Sequence, residues 1–177
     1  ISFLVFGSGV FAKNIVKNIT NMEGLSNNSI NCFLEDSHNI LWVGTWDGLN
    51  SYNGRDFAIY RYASENEFSI SNNIIRNIIE PDTTSIWIVT DQGLNRWDRV
   101  SGNFHRYFVE PNTDTHKGNN FLLLSATSSG NVICYVQSIG FCIFDKKEDK
   151  FIKIKGAEIK NVNNFIVDFE DNIYVLY

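Results

Sequence analysis

Hydrophobic residues come in short runs along this chain, many of them alternating with polar ones, and most runs close on a cluster of Asn, Asp, Gly or Ser. Period-two alternation bounded by turn residues is the mark of β-strands. No stretch holds the 3.6-residue rhythm of an amphipathic helix, so the pattern predicts an all-β chain. In its clearest part the strands are predicted at 30–35, 40–45, 49–52 and 57–62.

The same order of turns and rings returns after 45 residues. Ser26-Asn27-Asn28 recurs as Ser71-Asn72-Asn73, Trp42 as Trp87, Gly48-Leu49-Asn50 as Gly93-Leu94-Asn95, and Tyr52 as Trp97. Phe57 and Tyr60 recur two residues late, as Phe104 and Tyr107, so only the last turn has changed length. A third copy follows at 47, with Gly140 for Gly93, Asp145 for Asp98 and Phe151 for Phe104, and strands predicted at 121–127, 132–137 and 140–145. A fourth copy opens at Phe165, with strands predicted at 165–169 and 173–177 around Glu170-Asp171-Asn172.

Four strands in a unit of about 40 to 50 residues make the blade of a propeller, whereas a leucine-rich solenoid repeats every ~20 to 29 residues and an α-solenoid needs helices. The expected fold is therefore a β-propeller fragment of four-stranded antiparallel blades, about three and a half of them, with repeats at about 24–62, 68–108, 118–154 and 159–177. Trp42 and Trp87, mid-strand in apolar runs, are expected to fill the gap between neighbouring blades. Gly48 and Gly93 sit at hairpin tips, where positive φ suits glycine, and the Ser-Asn-Asn turns are expected to bond their own backbone. Residues 15–19 precede the first repeat as an outermost strand would, with inner partners expected from the far C-terminal end of a protein that continues beyond Tyr177.

Residues 1–12 read differently. An apolar run ending in Val10-Phe11-Ala12 looks like the remnant of a secretory signal peptide, which leaves 13–177 as the N-terminal part of the propeller. The same stretch also fits a strand followed by G-x-G-x-x-A, the dinucleotide fingerprint. That reading needs a βαβ unit, whereas the chain after Ala12 is a series of short strands.

Composition adds mainly exclusions. Hydrophobic residues make up 44% of the 177 and aromatic ones 14%, enough for a core, and the formal net charge of -5 offers no basic field for nucleic acid or an anionic membrane. Cys32, Cys134 and Cys142 lack metal-ligand spacing; in a hairpin over 132–145 the last two lie opposite each other, as buried thiols or as a cross-strand disulfide. His38, His105 and His116 have no partnered ligand at metal spacing and read as solvated, and neither metal nor cofactor is expected. Catalytic signatures such as H-E-x-x-H, G-x-S-x-G or a Walker loop are missing from the sequence, and the acids, among them Glu35-Asp36, Asp82 and Asp114, read as turn residues.

The segments Gly24-Leu25-Ser26-Asn27-Asn28-Ser29-Ile30, 41–52 and 86–98 resemble the two-component regulator propeller repeat, with Leu-Trp-Val-Gly-Thr-Trp-Asp-Gly-Leu-Asn in the first copy and Ile-Trp-Ile-Val-Thr-Asp-Gln-Gly-Leu-Asn in the second. In the third copy Cys134 or Tyr135 is expected where the family has Trp. The resemblance implies a seven-bladed propeller in the periplasmic sensor region of a Bacteroidetes hybrid two-component histidine kinase. It implies a region that is itself non-catalytic and binds an oligosaccharide. The implied partners are the other blades and domains of the same protein and, since such sensors commonly signal as dimers, a second copy. Flat aromatic faces flanked by Arg, Asn and Asp suit sugars, which makes Trp46 and Arg55, both in turns of the first copy, the candidate ligand contacts. The rival expectation is a secreted propeller-type polysaccharide lyase or hydrolase, whose carboxylate pair would come from separate loops.

Overall fold

The structure is a computed structural model that describes residues 2–5, 15–108 and 121–177. Asp114, His116, residues 118–120 and residues 6–14 of the expected leader and first mature segment lie outside the described residues.

Three four-stranded antiparallel sheets follow one another, each ordered as the chain runs. Blade 1 is β3 (Ile30–Glu35), β4 (Leu41–Thr45), β5 (Gly48–Tyr52) and β6 (Phe57–Tyr60). Blade 2 is β7 (Ile75–Asp82), β8 (Ser85–Thr90), β9 (Gly93–Asp98) and β10 (Phe104–Tyr107). Blade 3 is β11 (Phe121–Ala126), β12 (Val132–Val136), β13 (Gly140–Asp145) and β14 (Lys150–Lys153). A two-stranded sheet flanks each end: β1 (Ser2–Val5) with β2 (Ile15–Asn18), and β15 (Asn164–Val167) with β16 (Ile173–Leu176). The expected strands are all present, with ends shifted by a residue or two. The outer strand predicted at 57–62 stops at Tyr60 because Arg61 and Tyr62 turn to the neighbouring loop, Arg61 donating to the Asp47 carbonyl at 3.0 Å and the Tyr62 amide to Asn73 Oδ1 at 2.8 Å.

The core lies between blades, and the repeat builds it twice. At the blade 1–2 interface Trp42, 1% exposed, stacks on Tyr60 at 5.9 Å and meets the edge of Trp97 at 4.8 Å, with Phe104 on Tyr60 at 5.4 Å. At the blade 2–3 interface Trp87, 2% exposed, stacks on Tyr107 at 5.3 Å and meets Phe144 at 4.8 Å, with Phe151 on Tyr107 at 6.0 Å. Each such pair adds about 0.5–1.5 kcal/mol beyond the area it buries, so the four rings carry much of the contact between sheets. The third interface uses other residues: Ile133, Tyr135 and Phe141 pack on Phe165 and Val162.

Register corrects one expectation. Trp87 pairs with Arg96 three residues past the hairpin glycine, and the residue paired three past Gly140 is Ile133. Ile133, and neither Cys134 nor Tyr135, therefore takes the tryptophan position in blade 3. The longer β12–β13 turn, three residues against two, displaced the count along the sequence.

Gly48 and Gly93 close their hairpins at φ 130° and 139°, as the turn chemistry required. Asn27 and Asn72 make the expected local turns, accepting from Ser29 N at 2.7 Å and Ile74 N at 2.8 Å. The serines before them do something else. Ser26 N donates to Asn50 Oδ1 at 2.8 Å, Asn50 Nδ2 donates to Ser26 Oγ at 2.8 Å, and Ser26 Oγ lies 2.9 Å from Thr45 Oγ1. Ser71, Asn95 and Thr90 repeat the arrangement at 2.9 Å throughout. Each triad clamps the segment entering a blade to the β-hairpin at its centre, and satisfies polar groups that burial would otherwise strand.

At the N-terminal end Ser2–Val5, within the stretch expected to be a leader remnant, pairs antiparallel with Ile15–Asn18. The neighbour of β2 thus comes from upstream, where partners from the C-terminal end were expected. The antiparallel pairing also removes the dinucleotide reading, which needs parallel strands.

Candidate functional site

Successive antiparallel hairpins put alternate turns at opposite ends of a blade, so each blade presents two rims. Trp46 is in the β4–β5 turn and Arg55 in the β5–β6 turn, at the two ends of β5. The structure therefore does not bring the two candidate ligand contacts together.

On the first rim Trp46 is 51% exposed, and the Arg76 guanidinium lies 5.4 Å from its ring centre. Arg76, on β7 of the next blade, is itself held by both carboxylate oxygens of Asp91, with Nη2 to Oδ2 at 3.0 Å. Beside them Asp47 pairs with Arg61 at 3.1 Å and accepts from Asn73 at 3.3 Å. The result is an open indole face backed by a fixed cation, able to stack on the apolar face of a ring ligand. Arg76 and Asp91 were not visible as candidates, since neither residue type recurs at its place in the first copy, where Asn31 and Trp46 stand. On the opposite rim Arg55 is exposed, its amide donating to Asn53 Oδ1 at 2.9 Å to form the turn.

That second rim also carries the most buried charge of the described residues. Asp36, read from sequence as a turn acid, has a fully buried side chain. It accepts from Trp42 Nε1 at 2.7 Å and from Arg99 Nη2 at 2.9 Å, and Arg99 also reaches Glu80 at 2.6 Å. Ser37 completes the chain by donating its amide and hydroxyl to Glu80, both at 2.7 Å. Burial pushes the Asp36 carboxyl up, but hydrogen bonds from Trp42, Ile40, Arg99 and His38 outweigh it and hold the group below its ordinary range. The network fastens the β3–β4 turn of blade 1 to β7 and the β9–β10 turn of blade 2. Above it, between the same blades, opens a cleft of about 310 Å³.

The remaining candidates offer little chemistry. Cys134 and Cys142 are direct partners across β12–β13, free and buried. Burial pushes the Cys32 thiol up to about 12 and raises Cys134 as well, so neither supplies a thiolate nucleophile at neutral pH. His38 is exposed beside Ser37 Oγ at 3.2 Å, and His105 lies on β10. Among the described residues no group of three His, Cys, Asp or Glu is placed to hold a metal, and no helix is long and apolar enough to cross a membrane.

Comparison with known proteins bears on the repeat directly. Residues 24–47 match the family described as two component regulator propeller. A 70-residue stretch, 39% of this chain, is 41% identical to Histidine kinase P4 of Formosa agariphila, of which it spans 5%. Among solved structures, an extracellular domain assigned to the hybrid two-component system BT4673 of B. thetaiotaomicron aligns over 92% of this chain and 22% of its own, at TM-score 0.70 and 19% identity. The corresponding domain assigned to BT3049 aligns over 86% of this chain and 21% of its own, at TM-score 0.67 and 20% identity. The WD40 propeller domain of Doa1 aligns over 84% of this chain and 48% of its own at TM-score 0.62 and 12% identity, which is a likeness of fold alone. The chain is thus a segment of β-propeller whose residues 24–47 match the two component regulator propeller.

Proposed function

We propose that this segment belongs to the periplasmic sensor region of a hybrid two-component histidine kinase, which recognises an oligosaccharide and passes a conformational signal to a kinase elsewhere in the same protein. The observation that supports it most is the match at 24–47 within blades whose fold is that of extracellular domains assigned to such systems. The stretch shared with Histidine kinase P4 points the same way. The proposed region is a binding module without catalysis of its own; its partners are the other blades and domains of the protein, with a homodimer as the signalling form.

The saccharide reading draws on the exposed indole of Trp46 under Arg76, a surface suited to a sugar ring. Trp46 and, on the opposite rim, Arg55 are the proposed contacts. The test is a thermal-shift screen of the whole extracellular region against a panel of poly- and oligosaccharides, because a ligand of the folded state raises its melting temperature by mass action. A selective rise with one sugar family and no turnover on prolonged incubation is expected. Consumption of the sugar would make the protein an enzyme, and silence across the panel would leave a protein-interaction role.

A further inference from the structure

The cleft between blades 1 and 2 has a composition that blade packing alone does not require. Its walls are aromatic, supplied by Trp42, Phe57, Tyr60 and Trp97, and its polar groups gather toward the β5–β6 turn. Arg99 lines it, yet the Nε–H of Arg99 is buried without a hydrogen-bond partner. An equivalent cleft of about 300 Å³ lies between blades 2 and 3, and Arg96, which lines that one, holds the other unpartnered buried donor found among the described residues. Buried donors are satisfied in all but a few places in a folded protein, and here both exceptions border the same kind of opening.

The chemistry of the first cleft narrows its occupant. Asn53 Oδ1 is already taken by the amides of Arg55 and Asp56, at 2.9 and 2.8 Å, which leaves its Nδ2 as a donor. Asp56, in the same turn, supplies an acceptor. The charge of Arg99 is already offset by Asp36 and Glu80, at 2.9 and 2.6 Å. An anion would face Asp56 with no free cation to meet it, and a cation would leave the Asn53 donor unused. Hydroxyl groups donate and accept at once, and a ring that carries them on its edge while showing C–H groups on its face matches aromatic walls with mixed polar groups at one end. The volume, about 310 Å³, is at the lower end of the roughly 300–1,000 Å³ of small-molecule sites.

We propose that this inter-blade cleft binds one neutral pyranose ring of a saccharide, with Asn53 and Asp56 taking its hydroxyls. The proposal rests on the saccharide reading above and gives it a site at the rim of Arg55, away from Trp46. The experiment measures binding of neutral disaccharides (cellobiose, maltose, laminaribiose, mannobiose) and of galacturonic acid to the full-length protein by thermal shift and calorimetry, with the variants Asp56→Ala, Asp56→Asn and Glu148→Ala. A neutral disaccharide is expected to bind, to lose at least about tenfold in affinity in Asp56→Ala, to recover part of it in Asp56→Asn, which restores an acceptor, and to be unaffected by Glu148→Ala in the matching turn of blade 3. A neutral sugar that binds Asp56→Ala as well as the wild type overturns the cleft while leaving saccharide sensing intact. Preference for galacturonic acid overturns the neutral assignment, and failure of every sugar to bind overturns the saccharide reading and the cleft with it.

Discussion

Blades 1 and 2 lock their central hairpins with buried polar triads, whereas blade 3 has a valine and a thiol at the places of the threonine and the asparagine. Two residues past the hairpin glycine stand Asn50, Asn95 and then Cys142, each fully buried; at the end of the preceding strand stand Thr45, Thr90 and then Val136. The strands pair in the same way in all three. The blade thus does not need the triad to form: what both interfaces flanking blade 2 share is the cluster of four rings, and what all three sheets share is the order of their strands. The triad has the narrower task of tying the incoming segment to the hairpin.

If that division is right, the rings are where substitution costs most. Trp87→Ala is expected to destabilise the propeller by about 3–5 kcal/mol, as for other large aromatic truncations in a core. The urea midpoint of the propeller transition reads this. A loss no larger than that from removing one triad member would break the comparison, by showing that polar clamps and rings share the work.

The periodic part of this arrangement was legible in the sequence. Trp42 and Trp87, the hairpin glycines, and the pairing of Cys134 with Cys142 all derive from alternation plus a period, and all stand where expected. Thr45 and Thr90 obey the same period and could have been found by it, but a threonine at the end of a strand is ordinary and draws no notice. The acidic network was beyond that reach. Asp36 meets Arg99 across 63 residues, and Pro81 stands at the place of Asp36 in the next copy, so nothing local separates Asp36 from an exposed turn acid. Nor could spacing place Trp46 and Arg55 at opposite rims without first fixing which turns share an end.

Among the described residues the Asp36 network occurs at the blade 1–2 interface, and it should make that interface sensitive to acid. The folded state holds the Asp36 carboxyl below its ordinary value of 3.8, so the unfolded chain takes up its proton first as pH falls. Its contribution is therefore complete above about pH 4 and is lost as pH drops from there through the lowered folded value. Asp36→Asn should cost about 1.5–3 kcal/mol at neutral pH, the usual worth of hydrogen bonds to a charged group, and should flatten the acid limb of the stability curve. Melting temperatures of the two proteins between neutral pH and pH 3 give the comparison. Parallel curves would mean that Asp36 is not the group that titrates.

The smallest effects test the difference between the blades most directly, because one substitution can be made at one structural position in two of them. Asn95→Val removes the partner of the Ser71 amide, of Ser71 Oγ and of the Ile88 carbonyl, all inside the protein. Stranding them should cost about 1–3 kcal/mol, offset only in part by the preference of valine for strands. At the corresponding place in blade 3, Cys142 makes a distant contact of 3.9 Å from Sγ to the Gly140 carbonyl and a weak thiol–thiol hydrogen bond with Cys134, in the apolar cluster that also holds Val136 and Phe144. Cys142→Val changes little volume and strands no strong donor, so it should cost less than about 1.5 kcal/mol. Equal losses at the two sites would show that the hairpin centre is governed by packing in every blade, and would reduce the triads of blades 1 and 2 to a local turn device.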